Sequence, residues 1–153
     1  SAGTTFRIWL RPAEHVETAA VPVSTAAEPS RRGRILVVDD ERMIAKAVAR
    51  TLSSHTVVAE HRARAALDGI LAGERYDVIL CDLMMPEMTG MDFHAALREH
   101  APDQAAAIVF LTGGAFTQRA REFLDAVPNA RIDKPFDGAK LREVIAGLLR
   151  SPR

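Results

Sequence analysis

Asp39, Asp40 and Glu41 follow one short apolar run, Ile35-Leu36-Val37-Val38, and Asp82 follows another, Val78-Ile79-Leu80-Cys81. Carboxylates gathered at one point repel. Two unit charges roughly 4 Å apart cost about 4 kcal/mol at an effective dielectric of about 20, so their convergence calls for a cation. An all-oxygen donor set of this kind suits Mg²⁺ or Mn²⁺. Two further apolar runs end in complementary groups, Thr112 before Gly113 and Gly114, and Lys134 before Pro135. A hydroxyl and a compact ammonium at the mouth of an acidic crevice match an arriving phosphoryl group. Among twenty basic residues only Lys46, Lys134 and Lys140 are lysines, so Lys134 stands out against an arginine background. Each group also has a plainer role. Asp39 or Asp40 can cap a helix with Glu41 in its first turn, Thr112 can bond backbone, and Lys134 can pair with Asp82 or Asp133. Capping accounts for one acidic group per helix, however, and leaves Asp82, followed by Leu-Met-Met-Pro, without a purpose.

The elements that would bring these residues together are legible in the pattern around them. Short apolar runs at residues 35–38, 56–59, 78–81 and 108–111, and a weaker one at 130–132, alternate with helical stretches. In those stretches apolar residues recur at three- and four-residue steps, as in Ile44, Ala47, Val48, Thr51 and Leu52, in Ala63, Ala66, Leu67, Ile70 and Leu71, and in Leu141, Val144, Ile145, Leu148 and Leu149. Strands apolar on both faces and separated by helices predict a doubly wound parallel α/β sheet of five βα units, each crossover helix shielding one face. In such sheets ligands bind outside the carboxyl ends of the strands, where the strand order reverses. If the first and third strands are neighbours, Asp39, Asp40 and Asp82 meet there.

The 153 residues, 48% hydrophobic and 26% charged, have the composition of an ordinary globular chain of about one domain. Twenty Lys plus Arg balance twenty Asp plus Glu, which leaves no global attraction to nucleic acid or anionic lipid. A single cysteine, Cys81, cannot form an internal disulfide and fits a reducing, cytoplasmic setting. No apolar run is long enough to span a bilayer, and a membrane contact is not expected of this segment. Residues 13–33, rich in Ala, Pro, Ser, Thr, Val and Glu, read as a flexible linker. Before them, Phe6, Ile8 and Leu10 alternate with Thr5, Arg7 and Trp9 as in a half-buried strand, which needs a neighbour to cover it. The chain does not begin with Met, which suggests a piece of something longer.

The ordered motifs ILVVDDE, DLMMPEMTG (residues 82–90), FLTGG and DKPF resemble the response-regulator receiver domain of two-component signalling. The resemblance covers residues 34 to about 150, with thirty residues from Asp82 to Thr112 and twenty-two from Thr112 to Lys134. It implies a flavodoxin-like (βα)5 fold with strand order 2-1-3-4-5, here assigned to residues 34–153. It further implies that Asp82 is the phosphoacceptor and that Asp40 binds Mg²⁺ directly. Asp39 would bind the ion mostly through water, and the backbone carbonyl of Met84 would complete the protein's ligands. Thr112 and Lys134 would hold the phosphoryl oxygens. His15, His55, His61, His94 and His100 sit in no donor motif and read as surface or structural residues.

The chain departs from the family pattern at Arg131, which stands where an aromatic switch residue is usual. A phosphorylation signal would then pass through Thr112 and residues 113–116. The stretch GTTFRIWLRP resembles the closing strand of the ATP-binding domain of histidine kinases, which makes residues 1–12 the end of a truncated kinase domain. The favoured function is therefore a phosphoacceptor in a His–Asp phosphorelay, the C-terminal receiver of a hybrid histidine kinase. Its partners would be a phosphohistidine domain and a histidine phosphotransfer protein, with no DNA-binding output domain after Arg153. One alternative is a free-standing regulator acting as a phosphorylation-dependent binding module. Another, an aspartyl-phosphate hydrolase, would need a second Asp where Met84 stands.

Overall fold

A computed structural model describes residues 32–113 and 117–150. The 1–12 strand and nearly all of the 13–33 linker inferred from sequence lie outside the described residues, as do residues 114–116 of the expected signalling segment. The described chain forms β1 (Arg34–Val38), α1 (Arg42–Thr51), β2 (Thr56–Glu60), α2 (Ala63–Leu71) and β3 (Val78–Asp82). It continues with α3 (Gly90–His100), α4 (Pro102–Ala106), β4 (Ile108–Gly113), α5 (Gln118–Ala126), β5 (Arg131–Lys134) and α6 (Gly138–Arg150). The strands make one parallel sheet in the order β2-β1-β3-β4-β5. Both the fold class and the strand order follow the expectation.

The period of two along the strands sorts the core into two layers. Leu36, Val38, Ile79, Cys81, Ile108 and Phe110 face one side, where they pack with Ala66, Leu67 and Ile70 of α2, Phe93 and Leu97 of α3, and Ala120 and Leu124 of α5. Their neighbours Ile35, Val37, Val78, Leu80, Val109 and Leu111 face the other side, against Ala45 and Val48 of α1 and Leu141 and Ile145 of α6. Every side chain of β3 is buried, as a central strand with helices on both faces requires.

Helix boundaries have local causes. Thr89 caps α3 through a reciprocal box, its hydroxyl accepting from Asp92 N while the Asp92 carboxylate accepts from Thr89 N. The helical stretch after it is broken at Ala101 (φ −150°, ψ 67°), because the residue before a proline is driven out of the α region, and Pro102 opens a separate short helix. Five βα units imply one crossover helix here, and the proline divides it into two. Strand β5 starts one residue later than the 130–132 run suggested and extends to Lys134, since its pairing with β4 continues through Gly113.

Candidate functional site

The sheet order delivers the charged strand ends to one point. Val38 pairs with Cys81 in the β1–β3 register, so Asp39 follows one strand where Asp82 ends the next. Asp39, Asp40 and Asp82 each present a carboxylate oxygen, all within 4.8 Å of one another. Asp39 and Asp82 are buried and Asp40 is exposed. Neither Asp39 nor Asp40 caps α1, whose N-cap is Glu41 and makes no side-chain cap bond. Asp39 Oδ1 instead accepts from Glu41 N at 2.9 Å, which orients the carboxylate. The backbone of Asp39 is pinned as well: its N–H donates to Glu60 O, and its carbonyl lies 3.1 Å from His61 Nδ1.

Lys134 reaches across β4 from the end of β5. Its Nζ donates to Asp39 Oδ2 at 2.8 Å and to Asp82 Oδ1 at 3.0 Å. The ion pair thus joins the two buried carboxylates of the cluster. Burial pushes the Asp82 carboxyl upward, and the charges of Asp39 and Asp40 push the same way against the opposing pull of Lys134. Burial acts to lower Lys134, but its hydrogen bonds to Asp39 and Asp82 outweigh it and hold the ammonium above its ordinary value. The asymmetry has a simple origin: the lysine has two carboxylates to itself, whereas Asp82 shares one ammonium with Asp39. Cys81, buried beside this cluster, has its thiol raised by burial and then by Asp82 and Asp39, which keeps it protonated and unreactive.

Three carboxylates against one ammonium leave an excess of about two negative charges, which a divalent cation would offset. The donors are all oxygen, so the residues present fit a hard ion. Met84, two positions beyond Asp82, is half-exposed in the turn after β3. Gly90, the last residue of the DLMMPEMTG motif, also shapes the site, a role that its residue type alone does not signal. A Cβ there would lie 2.4 Å from the Asp82 carbonyl oxygen and 3.0 Å from Leu83 Cα. The start of α3 therefore rests directly on the backbone that carries Asp82, and Gly90 N donates to Leu83 O at 3.0 Å.

Thr112 is not part of the carboxylate cluster. It is buried at the end of β4, and its hydroxyl donates to Asp133 Oδ1 at 2.6 Å, with Ile132 O at 3.3 Å. Of the sequence-derived set, the structure joins Asp39, Asp40, Asp82 and Lys134 directly and leaves Thr112 one strand away. Among the histidines, His94 is buried, with its ring edge-on to Phe110 and Phe123 at centroid distances of 5.8 and 5.4 Å.

Residues 35–146 match the family model described as the response regulator receiver domain. The chain belongs to the response regulator receiver family. Receiver relatives include the response regulator MprA of Mycolicibacterium vanbaalenii, 34% identical over 119 residues that make up 76% of this chain and 50% of the relative. MprA of Mycobacterium avium is likewise 34% identical, over 76% of this chain and 51% of its own length. The chain spans about half the length of these curated relatives. Among solved structures, the receiver domain of a signal transduction histidine kinase from Syntrophus aciditrophicus superposes with a TM-score of 0.67 at 26% identity, covering 78% of this chain and 95% of that one. The chemotaxis protein CheY4 of Vibrio cholerae gives 0.64 at 28% identity, covering 76% and 98%.

Proposed function

We propose that this receiver domain accepts a phosphoryl group on Asp82 from a phosphohistidine, as one step of a His–Asp relay. The observation that carries the reading is the Lys134 ammonium lying between the Asp39 and Asp82 carboxylates at the mouth of the sheet. An Asp82 oxygen attacks phosphorus, the P–N bond breaks, and its electron pair returns to the imidazole nitrogen, which is protonated as it departs. The product at Asp82 is a mixed anhydride. Lys134 faces the charge that develops on the transferring oxygens, and Thr112 supplies a hydroxyl to one of them. Asp39, Asp40, Asp82 and the Met84 carbonyl would hold Mg²⁺, or Mn²⁺, which when bound supplies Lewis-acid neutralisation of the phosphoryl oxygens.

The partner is a phosphohistidine domain, in the same parent chain or in trans, and a histidine phosphotransfer protein is a second candidate. The GTTFRIWLRP stretch favours a hybrid kinase as the parent, acting in the cytoplasm, and the Syntrophus receiver, itself part of a histidine kinase, is a precedent for that arrangement. Incubation with acetyl phosphate and Mg²⁺ tests the reading by intact mass. One phosphoryl group per chain is expected, labile to hydroxylamine and absent when the metal is chelated. A chain that stays unmodified with several competent donors would contradict it.

A further inference from the structure

The alternation along β4 and β5 sends the groups of the site to opposite faces of the sheet. Asp82 pairs in register with Leu111, which packs towards α1 and α6, whereas Thr112 follows the opposite parity, that of Phe110, and pairs with Asp133. Thr112 and Asp133 line a cavity of about 330 Å³ together with Arg131 of β5 and Arg121, Leu124 and Asp125 of α5. The Thr112 hydroxyl has a single proton, and it is committed to the Asp133 carboxylate at 2.6 Å. Thr112 is 1% exposed, and the only other acceptor recorded for its hydroxyl is the more distant Ile132 carbonyl at 3.3 Å. An anionic oxygen arriving in the crevice must therefore compete with Asp133 for it.

We propose that Asp133 is a positioning residue that holds the Thr112 hydroxyl on the α5 side of the sheet until Asp82 is phosphorylated. The proposal rests on the reading of Asp82 as phosphoacceptor. When Thr112 turns to the phosphoryl group, the Asp133 carboxylate loses its partner. Arg131 is two residues away on the same face of β5 and beside the same cavity. Its guanidinium now pairs with Asp125 of α5 at 3.6 Å. Asp133 is itself exposed, so Arg131 competes with water for the vacated carboxylate, and its transfer from Asp125 releases the exposed ion pair between β5 and α5. A change of hydrogen-bond partner at the site becomes a change of charge pairing on the outer face.

A double-mutant cycle on the whole chain isolates this role. Beryllofluoride with Mg²⁺ serves as the probe for the phosphorylated state, with affinity measured by calorimetry for wild type, Asp133→Ala, Thr112→Val and the double variant. Asp133→Ala is expected to bind about tenfold more tightly, equivalent to about 1.4 kcal/mol, because the hydroxyl is released in advance. Loss of the carboxylate also removes a negative charge, but that effect is common to both backgrounds. In Thr112→Val the same Asp133→Ala change is expected to alter affinity by less than about twofold. Asp133→Asn, which keeps an acceptor oxygen for Thr112, should fall between wild type and Asp133→Ala. In NMR the Arg131 Nε–H signal should shift when wild type binds beryllofluoride and stay in place in Asp133→Ala. Equal effects of Asp133→Ala in both backgrounds, or none in either, would overturn the proposal while leaving the phosphoacceptor reading intact. Failure of wild type to bind the probe would overturn both.

Discussion

Lys134 serves two buried carboxylates at once, and the cost of removing it follows from what it leaves behind. With Lys134→Ala, Asp39 and Asp82 remain buried without a counter-charge from the protein, a situation that destabilises by roughly 3 kcal/mol. Urea denaturation in metal-free buffer should register that loss. Saturating Mg²⁺ should recover part of it, while acceptance of phosphate stays impaired. At His94 the direction runs through pH. Burial, followed by Arg98, lowers its pKa from the ordinary 6.5, and the bond with Asn129 only partly opposes this. The folded chain therefore favours the neutral ring, and the unfolded chain binds the proton first. Stability should be full above pH 6.5 and fall as the pH drops towards the lowered folded value. The fall should be shallower in His94→Leu, and His55, which burial and Arg32 shift the same way, contributes to what remains. Equal slopes for the two proteins would contradict this account of His94. At this scale the sequence made the acidic residues and Lys134 readable because each ends an apolar run. Asp82 was readable as a partner of Lys134, but its second partner Asp39 was not, because it depends on side-chain reach across the sheet, and neither was the Asp133 partner of Thr112, which depends on the β4–β5 register.

The elements position the site by close contact as much as by topology. Gly90 is the clearest case, because α3 begins where any side chain would strike the Asp82 carbonyl and the Leu83 Cα. Gly90→Ala must push the helix start away from β3 and disturb the backbone of Asp82. A fall in the rate of phosphorylation with far-UV circular dichroism unchanged is the expected result, and an unaltered rate would show that the contact does not position Asp82. The helices with clean three-four periodicity, α1, α2 and α6, were legible at nearly their observed bounds. The stretch after β3 was harder. Its helix start is set by the Thr89 and Asp92 capping box, and its division by Pro102, both short-range signals that apolar periodicity does not carry.

On the scale of the whole molecule, strand order decides whether four distant strand ends make a site. The order β2-β1-β3-β4-β5 puts β1 beside β3, and the excess of negative charge at their shared end makes the folded state a better ligand for a divalent cation than the unfolded chain. Mg²⁺ at a hundredfold excess over its Kd should stabilise the fold by about 2.7 kcal/mol, read as a rise in Tm. Asp40→Asn should remove most of that rise. No change in the Tm of wild type would contradict the metal reading. The fold class was legible because five apolar runs alternating with helices admit few architectures, and the site because the rule for ligand position in such sheets names strand ends in advance.

The central claim is that Asp82 alone becomes the acyl phosphate, and neighbouring carboxylates make total label an insufficient test of it. Asp39 and Asp40 lie within the same 4.8 Å cluster and could accept phosphate in its place. Peptide mapping of the chain after reaction with acetyl phosphate and Mg²⁺ is the direct measurement. The account predicts label on Asp82 in wild type and none in Asp82→Asn; label on Asp39, Asp40 or any other residue in wild type would contradict it.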